Sequence, residues 1–182
     1  MPSDATIVSS GEITEKQRFL RACEQNHSLT FKVLNAYPVD KADFRPHPRS
    51  SSALQLLWTF ILEDQFMARA LRREKVLGGG FPPMPQTWAE GMDAFAKGFD
   101  EVVSALRDPD NSDLSGTVTY WVRPLQTGEV PLTVFLTYLL EDHIHHRGQL
   151  SVYLRMVGGK VPSIYGPSAD EEWFGYFPTP SS

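Results

Sequence analysis

Four stretches of the chain repeat apolar residues at helical spacing, and each has a recognisable start or stop. The first follows Thr14, which has Gln17 three residues on, the spacing of a capping box. Phe19, Leu20, Cys23, His27, Thr30, Phe31 and Leu34 then recur near helical period until Pro38 stops the run. The second opens at Ser52, again with Gln55 three residues later. Its stripe is Leu56, Phe60, Glu63, Met67 and Ala70, flanked by Leu57, Ile61 and Phe66. Gly78-Gly79-Gly80 ends it. Phe81-Pro82-Pro83-Met84-Pro85 is then a stiff connector, because proline fixes its own φ and restricts the residue before it. The third has Thr87 and Glu90 as a capping box. Trp88, Met92, Phe95, Phe99, Val102, Val103 and Leu106 line one face, and Asp108-Pro109-Asp110 closes it.

The stretch from Leu114 to Val130 has a different pattern. Thr117-Val118-Thr119-Tyr120-Trp121-Val122 is β-branched and aromatic, and Thr127-Gly128 is a turn signal, which predicts a short, poorly regular hairpin. Pro131 suits the first turn of a fourth helix, which runs to about Val157 and ends at Gly158-Gly159. From Lys160 onward Pro162, Pro167, Pro178, Pro180 and several aromatics predict an ordered tail draped over the helices. Four helices with mostly long connections predict an all-α four-helix bundle, the architecture that places cofactor sites between facing helices. The chain has 182 residues, which suits a single domain with its core at about 12–170.

Composition narrows the class. Hydrophobic residues make up 41% and charged residues 21%, near the globular average, so wholesale disorder is excluded. The net charge of −5 speaks against a nucleic-acid binder, which needs a basic patch to release counterions. Arg72, Arg73 and Lys75 complement the dipole at the end of the second helix. Cys23 is the one cysteine, so an intrachain disulfide and a multi-cysteine zinc site are excluded, and a reducing compartment fits. Cys23 and His27 form an i,i+4 pair without an orienting third residue and read as a buried structural thiol and its neighbour. Met1-Pro2-Ser3-Asp4 carries no signal-peptide pattern. The run from Val130 to Leu140 is shorter than the roughly 20 residues a bilayer span needs. The expectation is a cytoplasmic protein without a membrane partner.

The chemistry lies where the stripes turn polar. On the fourth helix Leu132, Phe135, Leu136 and Leu139 give way to Asp142 or His143, then His146, then Gln149 or Leu150 and Tyr153. Asp142 and His146 are four apart and share a face, whereas His145 lies about 100° from His146. On the second helix Thr59 and Glu63 are four apart between Leu56 and Met67. A carboxylate in a core stripe is costly unless it is paired or ligated. If the two helices are neighbours, Thr59, Glu63, Asp142, His146 and Gln149 converge on a site suited to a divalent metal such as zinc, nickel or manganese. The alternative is a metal-free network. Asp142 would pair with Arg147 or Lys160, and Glu63 with a fourth-helix histidine, in a bundle acting as a dimeric binding module.

The run Leu139-Leu140-Glu141-Asp142-His143-Ile144-His145-His146-Arg147-Gly148-Gln149-Leu150, followed by Tyr153-Leu154-Arg155, Val161-Pro162 and Tyr165-Gly166-Pro167-Ser168-Ala169-Asp170, resembles the DinB (damage-inducible) family, also called DinB/YfiT-like. Leu56-Leu57-Trp58 with Glu63, and the proline-rich connector before Trp88, are similar to the family's earlier segments. The resemblance implies an up-down-down-up bundle, usually a homodimer. It implies a divalent-metal site of three histidines, one on the second helix and two spaced i,i+4 on the fourth. It also implies metal-dependent transfer of low-molecular-weight thiols to small electrophiles, or a related hydrolysis. Here the family's histidine positions hold Thr59, Asp142 and His146. The site expected from the resemblance therefore has Asp142 and His146 as metal ligands, Glu63 as a third ligand or base, and Thr59 as a water-positioning hydroxyl. His143 and His145 fall outside the ligand phase.

Overall fold

A computed structural model describes residues 13–109 and 113–173. Its elements in chain order are α1 (Glu15–Ala36), a 3-10 turn (Val39–Lys41), α2 (Ala53–Leu71), α3 (Trp88–Arg107), β1 (Thr117–Arg123), β2 (Gln126–Pro131) and α4 (Leu132–Met156). The first three helices start where the capping boxes place them. Thr14, Ser52 and Thr87 accept from the backbone N–H of Gln17, Gln55 and Glu90, whose side chains reach back to the cap N–H. α4 starts differently. Pro131 lies just before the helix and offers no side-chain cap, and the Leu132 N–H instead donates to the Gly116 carbonyl at 2.9 Å. The segment entering the hairpin thus caps the helix that leaves it. At the other end Gly158 adopts φ +80°, and the Gly159 N–H returns to the Leu154 carbonyl, so glycine closes the helix as expected.

β1 and β2 pair antiparallel, with Thr117 opposite Pro131 and Tyr120 opposite Gly128, and with one irregularity between Trp121 and Arg123. The short, irregular hairpin expected from the sequence forms, but its turn falls between Arg123 and Gln126, and Thr127-Gly128 lies within β2. Thr117 and Thr119 both donate to the Glu129 carboxylate, at 2.6 and 2.7 Å. The chain is therefore mostly helical with a small two-stranded sheet, not strictly all-α.

α2, which carries the buried Glu63, packs against α3 on one side and α4 on the other, while α1 packs on α4 and α3. The core divides into two clusters. One gathers Phe66, Met67, Val102, Leu106, Phe135 and Leu139 under the hairpin residue Val118. The other gathers Leu34, Leu57, Phe60, Trp88, Phe95, Leu150 and Leu154. Along α2 the clusters part between Ile61 and Phe66, and along α4 between Leu139 and Leu150. The polar residues of the stripes fall in both gaps.

The α2–α3 contact is close because Gly91 has no side chain. A Cβ there would lie 2.5 Å from Leu57 Cδ2 and 3.0 Å from Leu57 Cγ, with Leu57 fully buried. We expect Gly91→Ala to cost about 1–3 kcal/mol by overpacking, even though alanine gains about 1 kcal/mol in helix propensity. A lower urea midpoint with unchanged slope is the result that checks it.

The tail returns over the bundle as predicted, as far as it is described. Val161 and Ile164 pack on the second cluster, and the Tyr165 hydroxyl donates to Asn26 Oδ1 on α1 at 2.9 Å. Pro178 and Pro180 lie outside the described residues. Among the described residues no helix is long and apolar enough to cross a membrane.

Candidate metal centre

Glu63 on α2 and Asp142 and His146 on α4 come together in the gap between the core clusters. His146 Nε2 lies 3.4 Å from Asp142 Oδ1, one turn away on the same face, and 3.7 Å from Glu63 Oε1 across the helix pair. One ligand atom from each of the three lies within 4.8 Å of the others. Glu63 is buried, while Asp142 and His146 are half-buried, so the group opens outward along α4. Tyr138 of α4 and Tyr120 of β1 stand close enough to feel Asp142 and Glu63. Burial first, then for Tyr120 the Tyr138 phenol, and then the Asp142 and Glu63 carboxyls raise both phenols, Tyr120 to about 12. Their rings lie 6.4 Å apart.

A second layer lies beneath. His143 is fully enclosed, with Nε2 3.1 Å from Glu63 Oε2 and 3.5 Å from Asp64 Oδ1. These approaches are close but not aligned as hydrogen bonds. Both Glu63 oxygens, Asp64 Oδ2 and His143 Nε2 are buried without an aligned partner. The other ring nitrogen of His143 is the one left to donate to the Phe60 carbonyl.

These positions set the protonation states. Burial raises the Glu63 carboxyl well above its ordinary value, and contact with the Asp142 carboxyl and the charge of Asp64 raise it further. Burial does the same to Asp64. Burial lowers His143 to about 3, with His27, Arg147 and His146 adding to the effect and the Phe60 hydrogen bond opposing it. His143 is thus a neutral imidazole at physiological pH. Without a cation, the Glu63–Asp142 pair is best served by a proton between its two carboxyls. A proton held between two carboxyls marks a place where positive charge is favoured.

A model of the DinB family matches residues 9–174. The chain belongs to the DinB family. Its fold is shared with solved DinB-like proteins. One from Bacillus cereus ATCC 10987 aligns with a TM-score of 0.66 at 21% identity, covering 81% of this chain and 95% of that one. YjoA of Bacillus subtilis aligns with a TM-score of 0.64 at 15% identity, covering 85% and 99%. The uncharacterized protein YrdA of Bacillus subtilis (strain 168) is 47% identical over 45 residues, which are 25% of this chain and 26% of that protein. The match thus spans about a quarter of that relative.

Among the residues singled out in this DinB chain, Glu63, Asp142 and His146 meet. Thr59 lies one turn before Glu63, and its hydroxyl donates to the Gln55 carbonyl at 3.0 Å. Arg147 of the His-Arg-Gly-Gln run turns away from Asp142 toward α1. It donates to the Asn26 carbonyl, Asn26 Oδ1 and Thr30, and to the Tyr165 hydroxyl of the tail. Cys23 is buried with Sγ 3.9 Å from Met67 Sδ, and burial pushes its thiol far up, so it is not a nucleophile. His27 stacks on Phe99 at 3.6 Å and Phe95 at 4.4 Å. A groove of about 420 Å³ between the α2–α3 connection and the hairpin shares no residue with the three-residue group.

Sequence reasoning missed Asp64, and it offered His143 only as an alternative stripe position and as one of the fourth-helix histidines that could pair with Glu63, the pairing seen at 3.1 Å. Both are buried because α2 and α4 each press against more than one neighbour, whereas a single stripe assumes one buried face. The signal was the run of apolar residues on both sides of the Glu63-Asp64 pair.

Proposed function

We propose that this DinB protein is a metal-dependent enzyme of the transferase or hydrolase type, with Glu63, Asp142 and His146 holding one divalent cation. The observation that carries this reading is Glu63. A buried carboxyl with no aligned hydrogen bond to either oxygen is costly to keep, even when burial holds it protonated, and this one faces a second carboxyl and an imidazole at ligand spacing. Two carboxylates and one imidazole suit zinc, nickel or manganese, with more oxygen character than a three-histidine set. When bound, such a cation activates water or a low-molecular-weight thiol as a nucleophile. The chain's own residues do the rest. Glu63 and Asp142 supply negative charge once their proton leaves. Tyr120 and Tyr138 offer hydroxyl donors at the mouth to a small-molecule substrate. Thr59, one turn from Glu63, orients water there through its oxygen. The proposal includes the up-down-down-up helix order, one domain over the chain, and a homodimer. The exposed Val134, Tyr138, Val152 and Met156 of α4 support the last of these.

Protein purified without chelators should carry near-stoichiometric divalent metal, and background levels would overturn the reading. Added Zn²⁺, Ni²⁺ or Mn²⁺ at a hundredfold excess over Kd should stabilise the folded state by about 2.7 kcal/mol. No shift with any of the three would favour the metal-free binding module. Because the Glu63 carboxyl is held protonated by burial and by Asp142, binding should release a proton. Apparent affinity should then rise with pH, and calorimetry in buffers of different ionisation enthalpy should register the proton.

A further inference from the structure

Gln149 lies on α4 three residues beyond His146 and four beyond His145. Its amide oxygen is 3.1 Å from His146 Nδ1, and its amide nitrogen is 2.8 Å from His145 Nε2. An amide oxygen only accepts and an amide nitrogen only donates. With the amide in this orientation and both rings neutral, the two contacts are satisfied by one set of tautomers. His146 carries its proton on Nδ1, and His145 presents the lone pair of Nε2. A neutral His146 protonated on Nδ1 has its free lone pair on Nε2, the atom facing Asp142 and Glu63.

This arrangement runs against the local electrostatics. Two carboxyls beside Nε2 favour the opposite tautomer, in which an Nε2–H bonds to them and the nitrogen cannot ligate. Something must hold the proton on the far side of the ring, and the Gln149 carbonyl is the acceptor in place to do so. Gln149 is half-buried on α4, and its amide bridges the two imidazoles.

We infer that Gln149 is a positioning residue that fixes the His146 tautomer for cation binding, with exposed His145 holding the other end of the amide. This rests on the reading of Glu63, Asp142 and His146 as a cation site. Ring partners of this kind orient metal-ligating histidines, and their loss weakens metal binding about 10–100-fold.

The test compares the full-length protein with Gln149→Leu and Gln149→Glu. Imidazole ¹⁵N–¹H correlation spectra of the metal-stripped proteins are recorded at about pH 8, where ordinary imidazoles are neutral. Zn²⁺ affinity is measured by calorimetry on the same samples. The wild type should show His146 with its proton on Nδ1. Gln149→Leu should move that proton toward Nε2 and weaken Zn²⁺ binding about 10–100-fold while melting with the wild type. Gln149→Glu keeps an acceptor for Nδ1–H and should retain the tautomer and most of the affinity. A wild-type His146 protonated on Nε2 overturns the inference. So does a Gln149→Leu protein with unchanged tautomer and affinity. A wild type with the expected tautomer and the expected response to Gln149→Leu, yet no Zn²⁺ affinity, overturns the cation site and upholds the control of the tautomer.

Discussion

Replacing Arg147 with leucine should destabilise the fold by about 2–4 kcal/mol, through the loss of a buried cation that serves several acceptors at once. Arg147 is the largest of the fully buried side chains. One guanidinium nitrogen donates to the Asn26 carbonyl at 3.1 Å and Asn26 Oδ1 at 3.2 Å, and a second donates to the Tyr165 hydroxyl. The guanidinium carbon also lies 5.1 Å from the Tyr165 ring centre, within cation–π range. Leucine restores apolar volume but removes hydrogen bonds from a charged donor, worth about 1.5–3 kcal/mol each, although Asn26 Oδ1 keeps its bond from Tyr165 and the Asn26 carbonyl keeps its bond from Thr30. Lysine should not rescue the loss, because a single ammonium cannot span Asn26 and Tyr165 as the planar fork does. Urea unfolding of the three proteins measures this, and a loss under about 1 kcal/mol for leucine would show that the cluster is dispensable.

Glu63→Gln should abolish cation binding and leave the metal-stripped protein at least as stable as the wild type, with the gap widening as pH rises. The folded-state value of Glu63 is raised, so above the ordinary carboxylate range the folded state binds more protons than the unfolded state. Its contribution is fully present below the unfolded value and is lost as pH climbs through the folded one. One such group can remove at most about 1.4 kcal/mol per pH unit. Glutamine has no proton to lose, and its amide N–H can donate to the His143 Nε2 that now faces Glu63 at 3.1 Å. Asp64 is present in both proteins and keeps its own decline in the same direction. His143 works oppositely. Its folded value of about 3 makes its contribution complete above the ordinary value of 6.5 and lost as pH falls. The comparison is therefore cleanest above that pH. Parallel stability curves there would mean that Glu63 is already ionised and that burial does not hold its proton. A stabilised protein that no longer binds metal would mark the residue as kept for function at the expense of the fold.

The helix starts were legible because capping is local. Thr14, Ser52 and Thr87 each needed only the residue three positions on. The shared face of Asp142 and His146 was legible for the same reason, since one turn of helix fixes it. That Glu63 meets them depended on which helices are neighbours, and the paired interruptions in two apolar stripes were enough to suggest it. Asp64 was not legible, and His143 was legible only as one of several fourth-helix histidines that could pair with Glu63, because their burial comes from a third helix that no single periodicity contains. The turn of the hairpin was misplaced at Thr127-Gly128, because the tie of Thr117 and Thr119 to Glu129 that draws these residues into β2 appears only with the register. The role of Arg147 was hidden by distance in sequence, since its partners lie 121 residues before it and 18 after it.

That separation has a consequence for how the molecule is made. Asn26 leaves the ribosome early, yet its partners Arg147 and Tyr165 are synthesised 121 and 139 residues later. Until Tyr165 emerges, a nascent chain can hold all four helices and still lack the clasp between its first helix and its tail. The last steps of translation therefore decide whether the polar seam closes. A chain cut between α4 and Tyr165 would look nearly complete to a spectrometer that counts helix. To a protease it would be loose at α1.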